Sequence, residues 1–339
     1  MSKILVAAIG LILFTAAVRH ESYWENPPGW PEPSYDFSAN PMSAEKIALG
    51  RRLFYDEILS ADNSVSCASC HSPYNAFAHT DHTVSHGIHD RFGTRNAPGL
   101  QNLAWQDVFM WDGAIHYLDQ QALAPISHPD EMGEDIAHVV YKLSRTEVYP
   151  GLFKSAFGDT TITGERTLKA ISQFLLTLVS AGSRYDSVQQ HLARFTRQEA
   201  NGEELFNRHC NSCHSAPLFR KNSFENNGLS ADTSRNDAGR MKVTGKSEDY
   251  LRFKIPTLRN IAYTAPYMHD GRFRRLSDVL NHYSTGITES PTLSKELRNR
   301  IPLNSDQKAD LIAFLLTLSD RRFLFDTSHT DPRIPRQMQ

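Results

Sequence analysis

Cysteine is scarce in this chain, with four in 339 residues. In an exported protein four cysteines would ordinarily read as two disulfides, but all four fall in two copies of one short pattern, which points elsewhere. Charge of one sign is also missing. Thirty-six Lys and Arg stand against 38 Asp and Glu, for a formal net charge of −2. No basic face stands out, which argues against nucleic acid as a partner. Long hydrophobic runs are absent after Val18, so no later segment is apolar enough to span a bilayer. Strand-like alternation is scant. What remains is 40% hydrophobic and 22% charged residues, the balance of a globular protein with room for two domains.

At the N-terminus, Lys3 precedes an apolar run from Ile4 to Val18 that ends in the small residues Thr15, Ala16 and Ala17. This pattern predicts a signal peptide over residues 1–20, with an uncleaved anchor as the alternative. Under either reading the remainder of the chain is exported.

The cysteines lie in Cys67-Ala-Ser-Cys70-His71 and Cys210-Asn-Ser-Cys213-His214. Two cysteines three apart share one side of a helical turn, so both sulfurs can form thioethers to a single porphyrin. The adjacent histidine then reaches the iron as its proximal ligand. A bare C-x-x-C could serve as a redox dithiol or half a zinc site. The histidine directly after it, twice, with no cysteine left over, favours two covalently bound haem c groups.

Further features recur around both motifs in one order. Leu49-Gly50-Arg51-Arg52-Leu53-Phe54 precedes the first, and Asn201-Gly202-Glu203-Glu204-Leu205-Phe206 precedes the second. Pro98-Gly-Leu100-Gln-Asn102 and Pro256-Thr-Leu258-Arg-Asn260 follow them. Next come Asp112-Gly113 and Asp270-Gly271, and then Phe-Leu-Leu-Thr-Leu at 174–178 and 314–318. Such ordered matches signal a duplicated unit. Helical spacing of Ile171, Phe174, Leu175 and Leu178, and of Leu311, Leu315 and Leu318, makes the fold mainly α. Thr196-x-x-Glu199 is a capping box opening the helix before the second motif. The organisation expected is two cytochrome c-like haem domains in tandem, over 21–190 and 191–327, with a surface tail at 328–339.

From about Ala44 to Leu318 the chain resembles the bacterial di-haem cytochrome c peroxidase family, which includes MauG. The resemblance rests on Arg95-Asn96-Ala-Pro98, Phe109-Met-Trp111-Asp112-Gly113, Gln121, Pro125 and Glu131-Met132. In the second half it rests on Asn227-Gly228-Leu229, Asp237-x-Gly239-Arg240, Phe253-Lys254-x-Pro256-Thr257-Leu258-Arg259-Asn260 and Thr264-Ala-Pro266-Tyr-Met-His269-Asp270-Gly271. It implies a peroxide-reacting haem on His71 and an electron-transferring haem on His214. It also implies a tryptophan between the haems (Trp111), a distal glutamate (Glu131) and glutamine (Gln121), and Ca2+ held by Asn96 with the carbonyls of Thr264 and Pro266. The expected function is a periplasmic peroxidase that reduces hydrogen peroxide to water with electrons from a small cytochrome or similar donor. Members of the family commonly pair as homodimers. By composition alone, Glu131 beside Asp130, Glu134 and Asp135 also fits a solvated helix start, and Trp111 a plain core aromatic.

Two departures from the pattern bear on this expectation. The four histidines of the loop His79-Thr-Asp-His82-Thr-Val-Ser-His86-Gly-Ile-His89 fit a metal site, a solvated loop or a sixth ligand to the first haem; the resemblance implies a removable distal iron ligand here, with His86 the best match. The stretch from there to Arg95 is longer than in typical members. The sixth ligand of the second haem, a methionine in typical peroxidases of the family, aligns with Tyr283, as in MauG, while Met268 is another possible ligand. A phenolate favours oxidised iron and a thioether favours reduced iron. Tyr283 therefore keeps open a MauG-like oxidase of a protein or small-molecule substrate. A plain di-haem electron carrier is the non-enzymatic alternative.

Overall fold

The computed structural model describes residues 23–334, so the predicted signal peptide at 1–20 lies outside the described residues. The first half is built on α1 (Ala44–Phe54), α2 (Cys67–Cys70), α3 (Leu118–Gln121), α4 (Leu123–Ser127), α5 (Ile136–Ser144), α6 (Tyr149–Phe157) and α7 (Gly164–Leu176). The second half is built on α8 (Arg184–Gln189), α9 (Arg197–His209), α10 (Met241–Thr244), α11 (Leu276–Asn281), α12 (Ser305–Leu316) and α13 (Arg321–Leu324). One short antiparallel ribbon joins β1 (Phe224–Glu225) to β2 (Phe253–Lys254), with Phe224 opposite Lys254. The mainly α reading holds.

The starts of the long helices follow from local chemistry. Ser43 caps α1 by accepting from the Lys46 N–H, and Thr163 caps α7 by accepting from that of Arg166. At α9 the expected capping box is present: Thr196 Oγ1 accepts from the Glu199 N–H at 3.2 Å, and Glu199 Oε2 accepts from the Thr196 N–H at 2.7 Å. Each cap satisfies a donor that the first turn leaves unpaired.

The duplicated sequence elements make duplicated contacts. Helix α1 crosses α7 at Gly50, where an added Cβ would sit 1.8 Å from the Ala170 carbonyl oxygen. Helix α9 crosses α12 at Gly202, where a Cβ would sit 2.0 Å from the carbonyl oxygen of Asp310. Backbone against backbone at this range excludes any side chain. Gly50→Ala and Gly202→Ala should each destabilise the protein by about 1–3 kcal/mol through overpacking, despite the ~1 kcal/mol that alanine gains by helix propensity. Chemical denaturation reads the change, and a wild-type midpoint in either variant would refute the crossing.

The P-x-L-x-N pairs are equally alike. Asn102 and Asn260 both adopt left-handed backbone, at φ 60° and 59°, a conformation that asparagine tolerates better than most residues. Their N–H groups donate to the Leu178 and Leu318 carbonyls at 2.8 and 3.0 Å. Each P-x-L-x-N turn is thereby tied to the end of its own Phe-Leu-Leu-Thr-Leu helix.

Two apolar cores result, one gathered around Leu53, Phe77, Phe153 and Phe174, the other around Phe206, Phe219, Leu311 and Phe314. The division differs in detail from the boundaries expected at 190 and 327. Tyr185 on α8 packs in the second core, whereas Phe323 and Leu324 on α13 pack in the first. The segment after α13 is more than a surface tail, because Tyr55 Oη donates to the His329 carbonyl at 2.6 Å and Arg51 reaches the Thr330 carbonyl. The His329 ring packs against those of Phe77 and Phe323, which holds this segment on the first core.

The halves meet through a reciprocal pair of backbone bonds. The Asn96 N–H donates to the His269 carbonyl at 2.7 Å, and the Lys254 N–H donates to the Trp111 carbonyl at 2.7 Å. In the repeat Asn96 corresponds to Lys254, two residues before each proline, and Trp111 corresponds to His269, one residue before each Asp-Gly. The seam is therefore a pseudo-two-fold contact. Arg95 reinforces it with paired bonds of 2.7 Å to Asp237 and one of 2.6 Å to Asp112.

Candidate active site

Both C-x-x-C-H segments form a helical turn in which the histidine N–H donates to the carbonyl of the first cysteine, at 3.0 Å for His71 and 2.9 Å for His214. The two histidines are held alike. His71 Nδ1 lies 2.5 Å from the Phe77 carbonyl oxygen, and His214 Nδ1 lies 3.2 Å from that of Phe219. Carbonyls of Pro98 and Pro256 also face the respective rings. Burial lowers both imidazoles to about 4, so each is neutral at pH 7. A neutral imidazole whose Nδ1 is spoken for offers Nε2 to a metal, with its ring orientation fixed by the second bond.

The cysteine chemistry agrees. Burial pushes the Cys67 and Cys210 thiols up to about 12, whereas a redox dithiol works through a thiol of lowered pKa. A zinc site needs four converging ligands, and among the described residues no three His, Cys, Asp or Glu side chains gather to hold a metal. Paired sulfurs followed by an anchored imidazole fit a thioether-linked haem at each turn.

Around the first motif, Cys70 Sγ lies 3.6 Å from the His86 carbonyl oxygen. Glu131 is near enough to act electrostatically on the Cys70 thiol. Ser85 Oγ donates to Glu131 Oε1 at 3.2 Å, and the Glu131 carbonyl accepts from the Ile88 N–H at 2.8 Å. Glu131 thus sits on the histidine loop beside the haem turn, not in an isolated solvated helix start. Gln121 closes α3, with its Nε2 3.8 Å from Met110 Sδ.

The His86 imidazole stacks on Phe92 with centroids 4.9 Å apart, and its Nε2 is 3.3 Å from Asp90 Oδ1. His79 Nε2 is 3.3 Å from His82 Nδ1. The loop therefore brings the backbone of His86 to the haem turn while its ring is engaged toward the surface.

Trp111 lies on the seam. Its Nε1 donates to the Asn96 carbonyl at 2.8 Å, and its ring stands 6.5 Å from that of His269, edge to face. Asn96 is buried and donates from Nδ2 to the Thr83 carbonyl at 3.2 Å, which leaves its amide oxygen as the atom a cation would take. Thr264 and Pro266 flank the same turn as His269.

Near the second motif, α11 runs into a π-helical turn over His282–Gly286 that carries Tyr283. Burial pushes the Tyr283 phenol up to about 12, against a hydrogen bond from Asn227 that lowers it, and both Cys210 and Cys213 act on it. Met268 Sδ instead accepts from Asn227 Nδ2 at 3.4 Å. Tyr283 and Met268 thus share Asn227, and the tyrosine lies near enough to Cys210 and Cys213 for both to act on it.

Sequence reasoning did not foresee the Arg95–Asp237 bridge, nor Arg220 and Lys254 at the seam. Lone basic residues carry no spacing that marks a site, although Lys254 lies within the motif quoted for the resemblance.

Comparisons with known proteins agree with this geometry. A family model described as di-haem cytochrome c peroxidase matches residues 44–194. The methylamine utilization protein MauG of Methylophilus methylotrophus is 35% identical over 286 residues, 83% of this chain and 84% of that protein. The cytochrome c551 peroxidase of Nitrosomonas europaea is 34% identical over 289 residues, 83% of this chain and 82% of that one. A solved structure described as a MauG-like protein associated with microbial copper homeostasis superposes with a TM-score of 0.80 at 33% identity, covering 91% of this chain and 99% of its own. Two anchored haem motifs on a duplicated helical scaffold, and relatives of this extent, give one conclusion: the chain belongs to the di-haem cytochrome c peroxidase family.

Proposed function

We propose that this protein reduces hydrogen peroxide to water at the haem of the first half, taking electrons through the haem of the second from a small cytochrome or similar donor. The observation that carries the reading is Glu131 beside the Cys67–His71 turn, held at one oxygen by Ser85. A haem held on His71 would supply the redox chemistry that splits the O–O bond, with two electrons from the donor and two protons from solvent carrying the second oxygen to water. Glu131 takes the proton from the inner oxygen of the peroxide and returns it to the outer one, so that the leaving group departs as water. Ser85 fixes Oε1 and leaves Oε2 to face substrate. Gln121 orients the peroxide by its amide, and Trp111 lies in the electron path across the seam. Asn96, with the carbonyls of Thr264 and Pro266, supplies the oxygen ligands that suit Ca2+. The apolar N-terminal run supports export to the periplasm, and among the described residues no helix is long and apolar enough to cross a membrane.

Glu131→Gln should lower peroxide turnover by about 10²–10⁴-fold, the usual worth of a positioned proton-transfer group, with both haems retained. Steady-state oxidation of a reduced cytochrome with peroxide measures it. A rate within twofold of wild type would remove Glu131 from the reaction.

The placement of Tyr283 favours a second reading, a MauG-like oxidant acting on a protein or small-molecule substrate. A phenolate on the second iron would stabilise an oxidised pair of haems and slow electron entry. Under this reading, peroxide alone leaves a long-lived oxidised protein, and reduced cytochrome turns over slowly. Tyr283→Met should then favour reduction of the second haem by on the order of tenfold or more and accelerate cytochrome turnover. A redox titration and spectrum unchanged by the substitution would show that Tyr283 is not a ligand.

A further inference from the structure

From the seam geometry we propose that Lys254 and Arg220 form a cationic cradle for the propionate carboxylates of the second haem, closed by Gln106 and the Trp105 carbonyl of the first half. The inference rests on the di-haem reading and assigns it further residues. Arg220 is 5% exposed, and its Nε is buried without a hydrogen-bond partner. Its Nη1 donates to the Trp105 carbonyl at 2.7 Å, and Nη2 donates to Asn222 Oδ1. The Lys254 Nζ donates to Gln106 Oε1 at 2.8 Å. Gln106 and Trp105 are adjacent, so the two cationic groups are brought together from β2 and from the loop after the second haem turn.

A buried guanidinium beside a half-buried ammonium suffers repulsion and loses hydration, a cost that proteins meet with an anion in the same place. Among the described residues the chain does not provide one here. The acid that acts on Arg220 is Asp107, which is exposed, and the neighbour that acts on Lys254 is Arg220 itself. Burial lowers the Lys254 ammonium to about 7 and the Arg220 guanidinium to about 10, the direction expected of cations whose counter-charge is not protein. The anion is identified by position. Arg220 directly follows Phe219, whose carbonyl holds His214 Nδ1, and Lys254 stands two residues before Pro256, whose carbonyl faces the same ring. A group bordered by these segments belongs to the haem on His214, and the carboxylates of a haem are its propionates.

The test is a redox titration of the holoprotein against pH. Lys254→Met and Arg220→Met should each shift the reduction equilibrium of the second haem at least tenfold toward the oxidised state, 59 mV for one electron, because a nearby cation favours the reduced form. The potential should also become more pH-dependent near neutrality, since a buried propionate without its cation has a raised pKa. Lys254→Arg and Arg220→Lys keep the charge and should restore both features. Wild-type potentials and pH slopes in the two methionine variants, with both haems bound, would overturn the cradle. Equal shifts in the charge-keeping and charge-removing variants would overturn it as well, by showing packing alone. Failure of the di-haem reading is separable, because it would appear in the mass of the unsubstituted protein as fewer than two covalently bound porphyrins.

Discussion

Peroxide turnover should fall to background in His71→Ala, while the haem on His214 keeps its spectrum and its reduction by a donor. Among the described residues His71 is anchored for the first iron as His214 is for the second: half-buried, neutral, and oriented through Nδ1 by the Phe77 carbonyl. Removing the imidazole takes away the axial ligand that sets the electronics of the reacting iron, a loss that no neighbouring group replaces at the same place. The double substitution Cys67→Ser and Cys70→Ser goes further, and mass analysis of the mature chain should then find one covalent haem. His214→Ala should behave differently. It leaves the first haem in place but starves it of electrons, so a single turnover with peroxide survives where steady turnover with cytochrome does not. Turnover in His71→Ala above about 1% of wild type, well outside the 10²-fold floor for a lost catalytic group, would remove the first haem from its assigned role.

The largest expected loss of stability comes from a buried ion pair. Arg259 has a fully buried side chain, meets Asp186 through two parallel bonds of 2.8 and 2.7 Å, and donates from Nε to the Pro217 carbonyl at 2.7 Å. Its guanidinium also lies 4.6 Å from the Trp30 ring. Asp186→Ala would strand that cation and should cost about 3–5 kcal/mol, lowering Tm by on the order of 10 °C. The effect reaches the second haem, because Pro217 begins the loop whose Phe219 carbonyl holds His214. The double variant Asp186→Val, Arg259→Met should recover part of the loss, since well-packed apolar replacements often match a buried pair in stability. Calorimetry of the three proteins tests both statements. A cost below about 1 kcal/mol in Asp186→Ala, the range of a surface pair, would show that the bridge is not buried in solution.

Much of the scaffold was legible because duplication supplies its own control. Gly50 and Gly202, Asn102 and Asn260, and the two C-x-x-C-H turns each occur twice, and each pair makes one kind of contact twice. The capping box at Thr196 and Glu199 is a local device, readable from four residues. Less legible were the elements that depend on long-range approach. The return of Phe323 and Leu324 to the first core leaves no periodic trace in so short a segment. Glu131 could not be told from a solvated acid until Ser85 and Cys70 were seen beside it, and the engagement of the His86 ring with Asp90 and Phe92 depends on a loop path that spacing does not specify. Lys254 and Arg220 are single residues brought together by the meeting of the halves.

The exchange of backbone bonds between residues 96 and 269, and between 254 and 111, bears on ancestry. A self-complementary contact of this kind is what two identical subunits make about a dyad. Joining such subunits in one polypeptide frees each side of the axis to change alone. Here one side has tryptophan where the other has histidine, and asparagine where the other has lysine. A true homodimer would have to carry every such substitution on both sides at once. The division of labour proposed here, between a haem that meets substrate and a haem that feeds it, is thus open to a fused pair and closed to a symmetric one.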